Sequence, residues 1–357
     1  METSGVKYIG SKFSLLDYII DMVDKHVRVP PGRRPSMIDA FTGTTRVAQA
    51  FRQMGWDTQT SDLSWAAECY ALTFLQTNDN KHLQPALDYL NKLRGKTGWI
   101  TKNYCDVKSE DGTVVRVWQP HNGKKADAIR DEIERAGPRM KPQEKATLIT
   151  SLIFALDKVD NTVGIQQAYL KQWCPRSFNN LKLVLPQVVT LKTPLPQNKH
   201  QVGDCLTLKY EQADLAYLDP PYSSHNYSSY YHIWDSITRW DKPEVGLKTN
   251  RRVDRITSSD EYDESMSSPW NSKVHALEAF EQLVKRLPVK YILISYNDES
   301  LVPINDLIAA MKKYGQLHVN EIDYKRNIMS QIGNGVVGNT HNKEYLILVT
   351  RPKSKSN

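Results

Sequence analysis

The four residues Asp219-Pro220-Pro221-Tyr222 join a carboxylate, two conformationally fixed imino acids and an aromatic ring, directly after the apolar run Ala213–Leu218. Such a run ending at an acid reads as a buried strand that delivers the carboxylate to its C-terminal edge. The prolines stiffen the backbone that follows. The result is a rigid polar pocket with a flat wall, suited to a planar heteroaromatic amine. A Pro-Pro pair alone marks an ordinary turn; the acid and the ring around it are what point to chemistry.

Three further acids and a lysine stand in comparable places upstream. Residues 36–51 read as strand, tight turn and helix, with Asp39 at the end of the strand and Phe41 and Gly43 in the turn. A second strand ends at Asp62, about 20 residues beyond the turn, which is the spacing between the first turn and the ribose-binding acid of a nucleotide-binding βαβ unit. Gly43 is the only glycine in the turn, so the dinucleotide phosphate fingerprint of a dehydrogenase is absent and a ligand without a pyrophosphate fits better. Val202-Gly203-Asp204-Cys205 places another acid in a loop after a strand. At the N-terminus Lys7-Tyr8-Ile9-Gly10-Ser11-Lys12 precedes a helical pattern of Leu15, Leu16, Ile19, Ile20 and Val23. The Gly10 and Ser11 N–H groups and the Lys12 ammonium are placed to hold a carboxylate or phosphate, the plainer alternative being a capped surface helix with a solvated lysine.

The elements that must position these groups alternate strand and helix. After the tetrapeptide come a helix over residues 273–286, a buried strand at 291–295, a helix at 304–314, a strand at 317–324, a turn carrying Gly333, Gly335 and Gly338, and a strand at 345–349. This order predicts an α/β fold with a mostly parallel sheet and a late hairpin as its antiparallel edge. Residues 1–78 and 200–357 form the expected catalytic domain and 79–199 an inserted region. Within the insert, Trp99–Tyr104 and residues 113–119 flank Asp111-Gly112 and predict a hairpin. Residues 126–135 and 143–159 read as helices, the second with a broad apolar face for the main core.

Residues 164–200 contain Lys171, Arg176, Lys182, Lys192 and Lys199 and no acid, interleaved with Tyr169, Trp173 and Phe178. With no acid inside it to neutralise the charge, this stretch is the candidate polyanion-facing surface, set against a merely solvated basic face. After Tyr222 the chain is rich in polar and aromatic groups, including His225, Asn226, Tyr227, Tyr230 and Tyr231, and a basic cluster follows at Lys248, Thr249, Asn250, Arg251 and Arg252.

The chain of 357 residues carries a net charge of +7 and a pI near 9.0, which favours an acidic partner. Its four cysteines, Cys69, Cys105, Cys174 and Cys205, are scattered without a Cys-x-x-Cys pair, so neither a zinc cluster nor a disulfide framework is expected. No apolar run approaches the roughly 20 residues of a membrane span, and the first residues lack the basic and apolar regions of a signal peptide. A cytoplasmic protein is expected.

Together these residues resemble the adenine-N6 DNA methyltransferases of the Dam and D12 class, in which a cofactor motif, a target-recognition insert and a catalytic Asp-Pro-Pro-Tyr follow in that order. The variant Tyr8-Ile9-Gly10-Ser11-Lys12 and the Tyr-rich tail are most similar to the FokI-type branch. The resemblance covers residues 5–65 and 200–350 and implies a Rossmann-like methyltransferase sheet. It also implies S-adenosylmethionine as cofactor, duplex DNA as substrate, a cognate restriction endonuclease as partner, and no metal. By resemblance Tyr8 and Lys12 meet the methionine portion of the cofactor, with Lys12 near its carboxylate. Asp39, Phe41 and Gly43 form the turn beneath it, Asp62 takes the ribose hydroxyls and Asp204 the adenine amino group. Thr45 replaces a second family glycine, and Cys205 replaces the usual Phe, so stacking on the cofactor's adenine comes from elsewhere or is weaker.

In that chemistry Asp219 and the Pro220 carbonyl accept the two N–H bonds of an adenine amino group and turn its lone pair towards the methyl donor, while Tyr222 stacks on the extruded base. Alignment of this kind supplies up to roughly 7 to 11 kcal/mol, and extruding the base costs a few kcal/mol. Lys171, Trp173, Arg176, Tyr227, Tyr230, Arg251 and Arg252 are the expected DNA contacts. A cytosine-N4 or RNA exocyclic-amine methyltransferase, and a non-catalytic DNA-binding protein on the same scaffold, are the competing readings.

Overall fold

The computed structural model describes residues 1–8, 10–108, 112, 114–166, 168–191, 198–224, 227–246, 250–255, 268–325 and 341–352. Ile9, Asp111, Lys192, His225, Asn226, Lys248, Thr249 and the expected turn with Gly333, Gly335 and Gly338 lie outside the described residues.

Helix α1 (Leu16–His26) buries Leu16, Ile19, Met22 and Val23, a single face of a 3.6-residue period. It is followed by β1 (Ser36–Asp39), α2 (Arg46–Gln53), β2 (Asp57–Asp62) and α3 (Trp65–Phe74). The Ser64 hydroxyl caps α3 by accepting from Ala66 N. The next segment holds α4 (Gln84–Lys92), α5 (Trp99–Tyr104), the ribbon β3 (Cys105–Lys108) and β4 (Val114–Arg116), and the long helices α6 (Pro120–Ala136) and α7 (Pro142–Lys158). Both long helices begin with proline, whose missing N–H costs nothing in a first turn. The chain then returns through β5 (Asn198–Val202), β6 (Ala213–Leu218), α8 (Tyr227–Tyr230), α9 (His232–Arg239), α10 (Ala276–Arg286), β7 (Val289–Asn297), α11 (Ile304–Met311), β8 (Gln316–Lys325) and β9 (His341–Thr350).

Seven strands form one sheet in the order β5-β2-β1-β6-β7-β9-β8. The first five run parallel, and β9 is antiparallel to both of its neighbours, as the expected edge hairpin requires. Strand β6 is buried along its whole length, and its side chains alternate between two cores. Leu215 and Tyr217 join the core under α1 and α2, whereas Ala216 and Leu218 join the core under α10 and α11.

From β1 the chain crosses to β2 on one side, while β6 lies on the other. The crevice where strand order diverges is where open α/β sheets bind ligands, at the carboxyl ends of the strands. Asp39, Asp62, Asp204 and Asp219 all lie at or just beyond these ends.

The insert departs from expectation at one point. Trp99–Tyr104 forms helix α5, and the hairpin is built one segment later from β3 and β4. The cause is a carboxylate distant in sequence. Asp127 on α6 accepts from the backbone N–H groups of Gly98, Ile100 and Thr101 at 2.9, 2.8 and 2.9 Å, satisfying the orphan donors of a helix start. Helix α7 packs against α3, and the apolar residues of α4 to α7 share a single core with α3 and α9. Among the described residues no helix is long and apolar enough to cross a membrane.

Candidate active site

Strand β6 delivers Asp219 to a cleft lined by Tyr8, Gly10, Lys12, Phe41, Gly43, Asp62, Asp204, Cys205, Pro220, Pro221, Tyr222 and Tyr227. Asp39 lies beneath the floor with 2% exposure. All twelve residues expected at the catalytic and cofactor positions are thus gathered at one sheet edge.

The Asp219 carboxylate is held by one oxygen. Its Oδ1 takes the Lys12 ammonium at 2.9 Å and the Tyr222 hydroxyl at 2.8 Å. Asp219 accepts no further bond among the described residues, so Oδ2 is left for a ligand. Burial pushes the Asp219 pKa up, and the Lys12 charge and the two hydrogen bonds pull it part of the way back. Lys12 is 5% exposed, donates also to Gly10 O at 3.0 Å, and lies over the Tyr222 ring at 4.7 Å from its centroid. This burial rules out the alternative of a solvated lysine, and Lys12 lines the cleft beside Asp219. A buried ammonium needs a fixed counter-charge, and Asp219 is that charge.

Tyr222 is correspondingly more constrained than a free stacking platform. Its hydroxyl lies 3.4 Å from Ser295 Oγ and 3.5 Å from Glu344 Oε2, and its ring meets Tyr296 edge-on.

The turn after β1 is strained where the family glycine is replaced. Thr45 adopts φ 61° and is fully buried, a left-handed conformation that costs a β-branched residue roughly 1–3 kcal/mol. Its hydroxyl is held by Gln49 Nε2 at 3.0 Å. Asp62 closes the turn by accepting from Gly43 N at 2.8 Å and from Ser64 N at 2.9 Å. Gly43 itself has φ 48°, and a Cβ there meets the Tyr8 ring at 3.3 Å. Asp39 Oδ2 accepts from Thr42 at 2.9 Å, whereas Oδ1 is buried without a partner among the described residues. Burial raises the Asp39 pKa to about 7 and that of Asp62 to about 6. Asp204 is half-buried, with Oδ1 bonded to Leu206 N at 2.9 Å.

Two aromatic walls flank the acids. Tyr8 stacks on Tyr231 at 4.5 Å, with Tyr227 at 6.0 Å. Across the cleft Trp270 stands edge-on to Phe41 at 4.9 Å, beside Cys205. Trp270 is 4% exposed and is the large ring next to the position where the family pattern has Phe. Sequence reading missed it because it follows a polar stretch with no periodicity. Asp235, also missed, accepts from Ser64 Oγ at 2.7 Å and Ala66 N at 3.1 Å, which ties α9 to the start of α3. Burial raises the Cys205 pKa, so its side chain is a neutral thiol.

The expected DNA contacts are not gathered in the same way. Lys171 is exposed, Trp173 and Tyr230 are half-buried, and only Tyr227 lines the cleft. Arg176 is not an unneutralised charge: it pairs with Asp160 at 2.9 Å and donates to Thr162 O. Lys199 pairs with Glu211 at 2.5 Å. The neutralising acids come from outside the basic stretch, so a local reading could not see them. Arg252 is 2% exposed and fixed between Asp241 and Asp254, each at 2.8 Å, which makes it a structural cation, while Arg251 beside it is half-buried.

The family model described as D12 class N6 adenine-specific DNA methyltransferase matches residues 8–299. The chain is 30% identical to modification methylase StsI of Streptococcus sanguinis, over 90% of this chain and 48% of that protein. It is 27% identical to type II methyltransferase M.NlaIII of Neisseria lactamica, over 90% of this chain and 92% of that one. With type II methyltransferase M.FokI of Planomicrobium okeanokoites it shares 26% identity, over 87% and 47%. The chain therefore spans about half the length of StsI and M.FokI and nearly all of M.NlaIII. The match through Tyr8, the β1 turn and the Asp219 tetrapeptide shows that the chain belongs to the family of D12 class N6 adenine-specific DNA methyltransferases.

Proposed function

We propose that the protein transfers a methyl group to the N6 amino group of adenine in duplex DNA, as the cytoplasmic modification enzyme of a restriction-modification system. The observation that carries this reading is the Asp219 carboxylate, gripped at Oδ1 by Lys12 and Tyr222 and open at Oδ2 within the cleft.

The residues present fit S-adenosylmethionine. Asp39 Oδ1 is a buried acceptor without a partner among the described residues, as a cofactor ammonium requires. Asp62 and Asp204 face the cleft as acceptors for ribose hydroxyls and an adenine amino group, and Phe41 and Trp270 give an apolar wall for the ring. Bound there, the cofactor supplies an electrophilic methyl group on a sulfonium.

The chain's own task is to make an amine nucleophilic. An adenine amino nitrogen shares its lone pair with the ring. Asp219 Oδ2 and the Pro220 carbonyl accept its two N–H bonds, drawing the nitrogen towards tetrahedral geometry with its lone pair outward. The negative charge of Asp219 also favours the cationic amine that forms in the transition state. Fixed by two donors, Asp219 needs little reorganisation to do either. The proton then leaves to water, so a dedicated base is not required. The Tyr8, Tyr227 and Tyr231 cluster offers the extruded base an aromatic surround.

The test is to incubate the full chain with S-adenosylmethionine and duplex DNA, digest to nucleosides and identify the modified base. N6-methyladenosine as the deoxynucleoside is expected. N4-methylcytosine, or methylation of RNA alone, would overturn the assignment of adenine in DNA.

A further inference from the structure

Behind the cleft wall, against the Tyr222 hydroxyl, lies a buried carboxylate that the proposed chemistry does not use. Glu344 lies near the start of β9, beyond the region matched by the family model. Because β9 runs antiparallel to β7, its early residues reach the edge where the parallel strands end, and Glu344 pairs in register with Asn297. It is 6% exposed, and its Oε2 is 3.5 Å from the hydroxyl that Tyr222 donates to Asp219.

We propose that Glu344 is a positioning residue for Asp219, acting through the Tyr222 hydroxyl and the Lys12 ammonium to hold Asp219 by Oδ1 and leave Oδ2 for the target amine. This rests on the methyltransferase reading above.

The physical reason is the local charge balance. Lys12 is the cation that the two buried carboxylates share, and it favours the ionised form of each. With its field divided, Lys12 neutralises Asp219 only in part, and Asp219 remains a strong acceptor. The single Tyr222 hydroxyl proton goes to Asp219 Oδ1 at 2.8 Å in preference to Glu344 Oε2 at 3.5 Å, so Glu344 acts on this pair as a neighbouring charge, with Ser295 Oγ 3.4 Å from the same hydroxyl. The groups facing Glu344 are Lys12, Asp219, Tyr222 and Asp298, with the Tyr217 and Tyr227 hydroxyls nearby. Burial raises the pKa of Glu344 and of Asp219, and two interacting carboxylates take up protons as a unit.

Glu344→Gln in the full chain keeps size and hydrogen-bonding capacity but removes the charge. It should lower kcat for DNA methylation by about tenfold to a hundredfold, the scale of a misplaced catalytic group, with KM for cofactor and DNA little changed. The acid limb of the kcat profile should move to lower pH, because Asp219 loses a neighbouring negative charge. Glu344→Asp, which keeps the charge, should restore that limb. Carbon-13 NMR titration of the Asp219 carboxyl should show its midpoint fall in Glu344→Gln, a readout independent of turnover. Unchanged kcat with an unshifted Asp219 titration overturns the proposal, as does a loss confined to melting temperature. If the wild-type chain does not methylate DNA, the functional reading fails, and the Asp219 titration still decides the role of Glu344.

Discussion

The Lys12 ammonium lies 2.9 Å from Asp219 Oδ1, with 4% of the lysine side chain and 16% of the aspartate side chain exposed. The N-terminal motif and the Asp219–Tyr222 tetrapeptide are therefore a single electrostatic unit. Lys12→Met should destabilise the fold by up to about 3–5 kcal/mol, because a buried carboxylate loses its counter-ion. With the charge that depresses it gone, the Asp219 pKa should rise further. Methylation should then require higher pH, which melting curves and a pH-rate profile would check together.

Asp219→Ala should lower kcat by about a hundredfold to a thousandfold or more, the cost of removing a preorganised electrostatic group. Cofactor binding, proposed to draw on Asp39, Asp62 and Asp204, should be largely retained. Near-normal turnover by this variant would count against the whole mechanism.

Asp39 carries a pH signature of its own. In the fold burial raises its pKa to about 7, against an ordinary carboxylate value of 3.8. The folded state therefore binds more protons than the unfolded state between these values, and its stability falls as pH rises across the window. Asp39→Asn has no such group. Without cofactor, its stability relative to wild type should grow from about pH 4 to about pH 7, by up to roughly 4 kcal/mol. Its affinity for S-adenosylmethionine should fall. A stability difference independent of pH would show that Asp39 ionises normally.

Trp270 should carry the stacking that Cys205 cannot. Trp270→Phe should keep most of the cofactor affinity, whereas Trp270→Ala should lose it and also destabilise the protein by about 3–5 kcal/mol through the cavity left behind. Calorimetric titration with S-adenosylmethionine separates the two effects, since equal affinity in both variants would remove Trp270 from the binding site.

Lys171 and Arg176 should behave differently when replaced. Lys171→Ala should weaken DNA binding and flatten its salt dependence by about one phosphate contact, if the exposed ammonium meets the backbone of DNA. Arg176→Ala should instead lower the melting temperature, because it frees Asp160 and Thr162 from the loop they anchor. Equal salt slopes in wild type and Lys171→Ala would return that lysine to the solvent.

The sequence by itself determined the family and the sheet. An apolar run ending in Asp-Pro-Pro-Tyr, and acids ending β1 and β2 at nucleotide-site spacing, are local patterns, because strand burial and turn geometry are set by near neighbours. The antiparallel edge was legible for the same reason, since two apolar runs flank a Gly-rich stretch of sequence.

Only the tertiary structure decided which groups share charge. Asp127 makes α5 a helix by capping it from α6. Asp160 and Glu211 neutralise Arg176 and Lys199, and Asp241 and Asp254 enclose Arg252. Glu344 reaches Tyr222 because β9 runs backwards beside β7, and Lys12 meets Asp219 because the segment before α1 folds over the end of β6. Coulomb energy depends on distance through space and on burial, and neither can be read from the spacing of residues along the chain.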